Sequence, residues 1–306
     1  MNKMDKNTTP SYIKLYHSGE LLRRIEWFEK RYSSCNICPH NCKADRFNST
    51  KYGFCKTGAF PVVSSYGAHF GEETPLVGQS GSGTIFFTGC NMRCVYCQNY
   101  DISQLNSGKE ISVNDLATIM LKLQKDGCHN INFVSPSHQI LAVLQALKIA
   151  IPNGLYLPLV YNSGGYDSKK TIQMLEGVFD LYMPDFKYFD NQKAYEYSKV
   201  DNYVYHAKLS VLEMYKQVGD LKTEKGIAYR GLLIRHLVLP DNISDSDKFL
   251  DFADKTFNKG IHINIMNQYR PAYQANRYKE LNKYPLQKNI NDLKNRRLYK
   301  NINILD

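Results

Sequence analysis

The stretch FFTGCNMRCVYCQN, residues 86–99, places Cys90, Cys94 and Cys97 on a tight loop at the exit of an apolar, strand-like run. The spacing is C-x3-C-x2-C, and an odd number of clustered thiols does not suit a disulfide framework. Three thiolates on one loop can hold three irons of a [4Fe–4S] cluster, because Cys thiolates are the usual ligands of such clusters. The fourth iron then has no protein ligand nearby in sequence, and an open coordination position is a place where a small molecule can bind. The competing readings are a zinc site short of one ligand, and three unrelated thiols.

Outward from this loop, short β-rich runs alternate with helical ones. The expected strands are 84–88, 130–134, 156–161, 181–186, 232–239 and 261–267, and the expected helices are 113–125, 138–150, 168–175, 203–218 and 246–257. Six β/α alternations imply parallel strands with right-handed crossovers. An open doubly wound sheet alternates in the same way, but polar residues at the strand ends fit a partial (β/α)6 TIM-like barrel at least as well. In a barrel the chemistry belongs at the C-terminal ends of the strands, which is where the three-cysteine loop lies.

Upstream, residues 17–32 carry Leu21, Leu22, Ile25 and Phe28 at helical spacing, with Ser18 as a possible cap. A glycine-rich connection over 67–83 reads as turns. Between them Cys35, Cys38, Cys42 and Cys55 form C-x2-C-x3-C-x12-C, with Pro39 and Gly53 supplying turns. Four thiols on so short a segment indicate a second metal site. Tetrahedral zinc would fold a loop too polar to fold alone, whereas a second iron–sulfur cluster could pass electrons or bind substrate; His40 could replace one ligand. The expected organisation is an N-terminal helical, cysteine-rich metal-binding extension at 1–66, a core barrel at 67–270 and a basic extension at 271–306.

The bulk composition narrows the class. Of 306 residues, 43% are apolar and 22% charged, as in globular proteins. No apolar stretch approaches the roughly 18–20 residues of a membrane span, and the start MNKMDKNTTPS lacks the apolar core of a secretory signal. A cytoplasmic location is therefore expected, where thiols stay reduced, so the eight cysteines read as ligands or reactive groups. Cys128, alone after Gly127, reads as a small buried side chain. The net charge is +10, of which the segment from Arg270 onward holds six. No RNA-binding signature accompanies it, so a solvated basic surface is favoured over a nucleic-acid groove.

Tyr96 completes a C-x3-C-x-(aromatic)-C pattern, which resembles the radical S-adenosylmethionine (SAM) superfamily. The stretches HFGEETPLVG, SGTIFFTGCNMRCVYCQNYDIS, NINFVSPSH, VYNSGGYDS, LYMPDFKYFD, GLLIRHLVLP and NQYRPAY resemble an uncharacterised branch related to pyruvate formate-lyase activating enzymes. That resemblance implies a [4Fe–4S] cluster on Cys90, Cys94 and Cys97, with Asn91 and Tyr96 beside the cofactor. It implies SAM chelating the open iron and reductive cleavage to methionine and a 5′-deoxyadenosyl radical. The radical would abstract hydrogen from substrate, and a donor such as a flavodoxin or ferredoxin would supply the electron.

Strand phase adds detail. Met183, Asp185 and Lys187 share one face, and two opposite charges at the end of a buried strand need partners. They could be a salt bridge capping the barrel; the resemblance assigns this Asp-x-Lys to SAM. Arg235 and His236 are neighbours, so at most one faces the interior. By resemblance it is Arg235, whose planar fork suits a carboxylate, with His236 packed among helices. Asn162, in YNSGG, resembles a site near the ribose of SAM. Two departures stand out. Where relatives carry Gly-Gly-Glu for the SAM amino group, this chain reads Ser135-Pro136-Ser137-His138, so Ser135, Ser137 or a backbone carbonyl would accept that bond; His138 could instead cap the next helix. Where the activating enzymes carry a histidine near strand six, this chain has Asn264, Met266 and Gln268 in phase, pointing into the mouth as substrate contacts.

The expected activity is hydrogen abstraction from a glycine of a partner enzyme or from a peptide. The alternatives are radical modification of a small molecule or RNA, and a non-catalytic metal-binding protein. A protein substrate calls for an open barrel mouth; a small one would favour a mouth plugged by the cysteine-rich segment.

Overall fold

The computed structural model describes residues 9–49, 53–257, 260–294 and 299–305. The chain opens with two helices, α1 (Ser11–His17) and α2 (Glu20–Tyr32). Ser18 does not start the second helix. It closes α1, its hydroxyl donating back to the Leu15 carbonyl at 3.1 Å, and Gly19 at φ +74° turns the chain into α2, a left-handed conformation that glycine adopts without steric cost. Leu21, Ile25, Phe28 and Tyr32 form the buried stripe of α2, while Leu22 faces solvent.

The connection expected as turns is partly regular. It begins in β1 (Val62–His69), passes through the single turn α3 (Thr74–Val77) and returns in β2 (Ser82–Phe87), which runs antiparallel to β1 with Tyr66 opposite Ile85. After the cysteine loop come α4 (Tyr100–Ser103), the edge pair β3 (Lys109–Glu110) and α5 (Val113–Lys125). A reciprocal capping box between Ser112 and Asp115 fixes the start of α5, satisfying two amide groups that would otherwise lack partners. The repeat continues with β4 (Ile131–Val134), α6 (Ile140–Ala150), β5 (Leu159–Ser163), α7 (Lys169–Met174), β6 (Leu181–Pro184), α8 (Asn191–Ser198) and α9 (Tyr203–Val218). It ends with β7 (Lys222–Glu224), β8 (Ile227–Leu237), α10 (Ser246–Thr256), β9 (Ile261–Met266), α11 (Gln287–Lys294) and β10 (Ile302–Leu305).

All six expected strands are present, as β2, β4, β5, β6, β8 and β9. They stand side by side in chain order, each parallel to the next. A doubly wound sheet reverses its strand order at a switch point; this one does not. The fold is mixed α/β with a parallel-dominant sheet, a partial TIM-like barrel. The sheet extends past both places where the sequence changes character: β1 runs across position 66, and β10 adds a parallel edge strand beside β9, Ile302 opposite Ile261.

Two cores result. The larger lies between sheet and helices and includes Phe133, Tyr161, Leu232 and Ile234. The smaller fills the barrel interior with Leu76, Val160, Leu181, Met183, Ala228 and Leu233. Leu76 comes from α3, so the connection between β1 and β2 dips into the barrel and anchors there. Burying one such leucine contributes about 1.5–3 kcal/mol. It also holds Glu72 and Glu73, just upstream, against the interior.

Candidate active site

The end of β2 delivers the three-cysteine loop. Gly89 sits at φ +82°, and a β-carbon there would come within 2.8 Å of the Cys55 carbonyl oxygen. Both the backbone angle and the close approach of the N-terminal segment therefore require glycine before Cys90. The loop is tied down by Arg93 N–H to the Ser198 carbonyl at 2.9 Å and Val95 N–H to the Tyr197 carbonyl at 2.8 Å.

Each thiol has a hydrogen-bonding neighbour. The Met92 amide donates to Cys90 Sγ at 3.3 Å, the Ser198 hydroxyl to Cys94 Sγ at 3.0 Å, and Cys97 Sγ lies 3.1 Å from the Ser103 hydroxyl. Behind Ser198 the hydroxyls of Tyr188 and Tyr96 follow at 2.6 Å each. With Ser198 donating to Cys94, these tyrosines form one directed chain, Tyr96 to Tyr188 to Ser198 to sulfur. Burial pushes the Cys90 thiol up to about 12 and the Cys94 thiol up to about 11. Such thiols are inert as free nucleophiles; the charge of a bound metal is what would keep them as thiolates.

Among the described residues, no three His, Cys, Asp or Glu side chains are gathered as ligands of a single metal ion. Zinc draws its donors to about 2.0–2.3 Å of one point. In a cluster, by contrast, each thiolate binds its own iron. Three thiols from one loop, each with a hydrogen-bonding neighbour and all lining one cavity, fit the donor set of a [4Fe–4S] cluster.

Across the loop stand the charged strand ends. Lys187 Nζ donates to Asp185 Oδ2 at 2.5 Å, and Arg235 donates from Nε to Asp185 Oδ1 at 2.8 Å and from Nη2 to Asn162 Oδ1 at 2.7 Å. Burial works against the charged form of Asp185, but Arg235 and then Lys187 outweigh it and hold its carboxyl below the usual range. Burial likewise opposes the charge on Lys187, and Asp185 and the Cys94 thiol outweigh that, raising it. The group is pinned by backbone: Asp185 N–H bonds the Ser163 carbonyl at 2.8 Å and Phe186 N–H the Arg235 carbonyl at 2.7 Å. One cavity of about 150 Å³ is lined by Cys90, Cys94, Cys97, Ser135, Asn162, Asp185, Lys187 and Arg235. A second, of about 230 Å³, adds Tyr96, Met266 and Gln268.

Two residues named from sequence point elsewhere. The Asn91 amide donates to the Tyr166 carbonyl at 2.6 Å, and the Ser137 hydroxyl donates to the buried carboxylate of Asp167 at 2.6 Å. Neither lines these cavities. Ser135 does, held at φ +57° at the end of β4. His138 caps nothing; its Nε2 donates to the Thr88 carbonyl at 2.8 Å. His236 is fully buried on the helix side, stacked on Phe249 with ring centroids 4.5 Å apart. Asn264 turns to Glu73, its amide donating to Oε1 at 2.9 Å, and Gln268 sits at the mouth, where the Gln98 side chain donates to its carbonyl at 2.9 Å. Sequence reasoning missed Ser103, six positions beyond Cys97, Ser198, which reaches Cys94 from a distant element, and Tyr188 behind it; it also missed the Glu72–Glu73 pair, which sat in plain view within HFGEETPLVG.

The cysteine-rich segment docks beside the loop. His40 Nε2 donates to the Asn91 carbonyl at 2.8 Å and its ring stacks on Phe54, centroids 3.7 Å apart. Cys35, Cys38, Cys42 and Cys55 surround buried Arg46, which donates to the Thr57 carbonyl at 3.2 Å, the Thr57 hydroxyl at 3.0 Å and the Gly58 carbonyl at 2.7 Å. Burial would lower the Arg46 pKa, but Tyr32 and the surrounding thiols raise it on balance.

The chain is similar to several known proteins. A model of the radical SAM superfamily matches residues 84–253. An uncharacterized protein of Methanocaldococcus jannaschii, MJ0674, is 34% identical over 270 residues, covering 85% of this chain and 73% of its own. A pyruvate formate-lyase-activating enzyme of Staphylococcus epidermidis is 22% identical over 197 residues, 61% of this chain and 73% of its own. The solved structure described as "Structure of TYW1 with a lysine-pyruvate adduct bound" aligns with a TM-score of 0.40 at 14% identity, covering 62% of this chain and 67% of that one. With more than half of the chain matched by one family model, and the three-thiol loop at the end of its first parallel strand, this chain belongs to the radical SAM superfamily.

Proposed function

We propose that the chain is an activating-enzyme-like radical SAM enzyme that abstracts hydrogen from a peptide or protein substrate. The observation that carries this reading is one cavity bounded by the three thiols on one side and by Asp185, Lys187, Arg235 and Asn162 on the other. When bound, the cluster and SAM supply the electron transfer that breaks a C–S bond to give methionine and a 5′-deoxyadenosyl radical, the protein contributing position and water exclusion. Cys90, Cys94 and Cys97 would hold three irons and leave one open. Arg235, whose Nε and Nη2 now serve Asp185 and Asn162, would turn its planar fork to the SAM carboxylate. Asp185 orients Lys187 and Arg235, and Asn162, released by that turn, would meet the ribose. Ser135 takes the place of the absent Gly-Gly-Glu. Asn264, Met266 and Gln268 meet the substrate.

A protein-sized substrate is supported by the placement of the cysteine-rich segment. It packs against the flank of the three-cysteine loop, and none of its described residues lines the cavities around Arg235. That segment is read as holding a second iron–sulfur cluster, its four thiols lying together on one short segment beside the three-cysteine loop. A one-electron donor such as a flavodoxin or ferredoxin completes the scheme, in a cytoplasmic setting where thiols remain reduced. No helix among the described residues is long and apolar enough to cross a membrane. A small-molecule substrate is the second reading, favoured by the way α3 fills the barrel interior.

The test is anaerobic. Iron-loaded, reduced protein given SAM should release 5′-deoxyadenosine. A fully iron-loaded preparation that releases none overturns the enzyme reading in favour of a metal-binding protein.

A further inference from the structure

We propose that the cavity between α3 and β9 is a subsite for a cationic group of the substrate, an alkylammonium or guanidinium, received by Glu72 and Glu73. The inference rests on the radical SAM reading only in calling that ligand the substrate. The cavity measures about 660 Å³ and is lined by Gly71, Glu72, Glu73, Arg235, Asn264 and Gln268 among others. In a chain of net charge +10, its charged lining is two carboxylates to one guanidinium.

That guanidinium is already committed. Its Nε and Nη2 serve Asp185 and Asn162 at 2.8 Å and 2.7 Å, leaving only Nη1 at 3.5 Å from Glu72 Oε2. Glu73 Oε1 lies 4.0 Å from Arg235 Nε and accepts instead from Asn264. Glu73 Oε2 is buried and has no hydrogen-bond partner among the described residues, although Glu73 as a whole is only 9% exposed. A buried carboxyl oxygen left without a hydrogen-bond partner is costly. A structural ion pair locking the β1–β2 connection accounts for Glu72, which also faces His69 at 3.3 Å, but it leaves Glu73 Oε2 unserved. Should Arg235 turn toward a bound carboxylate, the surplus negative charge grows.

The ammonium of SAM is not the natural occupant. It belongs at the open iron, beside Cys90, Cys94 and Cys97, none of which lines this cavity. Arg235 lines both cavities and stands between the glutamates and the thiols. Burial raises the carboxyl of Glu72, with Arg235 pulling the other way; a cation in the cavity would pull in the same direction as Arg235. Leu76, buried in the barrel interior, fixes the pair: its amide bonds the Glu73 carbonyl at 2.8 Å.

The experiment uses the full, iron-loaded chain and four probes of similar size: n-butylammonium, n-butylguanidinium, neutral n-pentanol and anionic pentanoate. Binding is read by saturation-transfer NMR, with and without saturating SAM. The expected result is binding of the two cations and not of pentanol or pentanoate, retained in the presence of SAM. Glu73→Gln should weaken it about tenfold or more, the scale of one charge-assisted hydrogen bond, and Glu73→Asp should keep the preference for cations. Pentanol binding as well as the cations, displacement of the cations by SAM, or Glu73→Gln binding cations like the natural chain would each overturn the proposal. The wild-type comparison stands even if a variant fails to fold. Release of 5′-deoxyadenosine from the same preparation is scored separately, so loss of the subsite and loss of the radical SAM reading give different results.

Discussion

The two cysteine loops meet at Gly89 and solve one problem in two ways. Each gathers thiols in a buried setting and each has one buried cation close by, Lys187 for Cys90, Cys94 and Cys97, and Arg46 for Cys35, Cys38, Cys42 and Cys55. The difference lies in what that cation is free to do. Arg46 directs Nε and Nη2 to the Thr57 and Gly58 carbonyls and stacks on the Tyr32 ring, 4.2 Å away, with its Nη1 buried and unpartnered among the described residues; it lines none of the cavities around Arg235. Lys187 and its partners Asp185 and Arg235 line an open cavity beside the thiols. On the proposed reading a four-thiol loop would leave no iron open and a three-thiol loop would leave one beside the cavity. Similar donor chemistry would then serve a closed site and a reactive one.

The sharpest way to break this contrast is to remove one thiol from each loop. Cys94→Ala should abolish 5′-deoxyadenosine release, by about a thousandfold or more, the scale of losing an essential catalytic group, as read by chromatography of anaerobic reactions. Cys38→Ala should lower iron content while leaving the three-thiol site loaded, and zinc replacing the lost iron in the natural chain would reverse the metal assignment. Full turnover by Cys94→Ala would show the ligand set to be wrong.

Asp185→Asn comes next. It leaves Lys187 and Arg235 buried without their shared counter-charge, at a cost of about 3–5 kcal/mol in stability, and should weaken SAM binding in calorimetry. An unchanged melting temperature would mean that the pair is not the brace it looks. Arg46→Ala removes three hydrogen bonds and a cation over Tyr32, for about 3 kcal/mol. It should release iron from the four-thiol loop first. Equal loss from both loops would erase the proposed distinction.

A pH effect of about 3 kcal/mol follows from His236. Its Nδ1 lies 2.6 Å from the Phe186 carbonyl and must donate, so Nε2, 2.8 Å from the Ser246 hydroxyl, accepts, which fixes a neutral ring. Burial lowers its pKa to about 4 from 6.5. The unfolded chain therefore binds the proton first, and stability should fall as pH drops from about 6.5 to about 4 and then level off with respect to this group. A His236→Gln variant with the same acid profile would assign the effect elsewhere. The smallest effect is expected at Cys128, buried and away from both loops: Cys128→Ala should cost about 1 kcal/mol or less and leave SAM cleavage intact.

The parallel core was legible because period and length agreed. Six short β-rich runs separated by helical ones leave few topologies, and Asp185, Lys187 and Arg235 announced themselves as charges at strand ends. What stayed hidden depends on long-range packing. Ser198 and Tyr188 reach Cys94 across 104 and 94 positions of chain, and nothing local marks a serine or a tyrosine as a partner of sulfur. β1 was missed because Ser64, Ser65 and Gly67 dilute its pattern, and only pairing with β2 makes it a strand. The directions of Asn91 and Ser137 were not legible, because adjacency to a ligand says nothing about direction; a buried carbonyl and a buried carboxylate hold the two side chains. The Glu72–Glu73 pair was visible as letters, but its meaning needed Leu76 to be seen inside the barrel.

The most direct measurement is electron paramagnetic resonance of reduced Cys38→Ala protein, which isolates the three-thiol site. A [4Fe–4S] signal that changes shape when SAM is added is the expected result, since SAM would bind the open iron. A signal indifferent to SAM, or one that persists in the Cys38→Ala, Cys94→Ala double variant, would contradict the assignment of Cys90, Cys94 and Cys97 as the reactive centre.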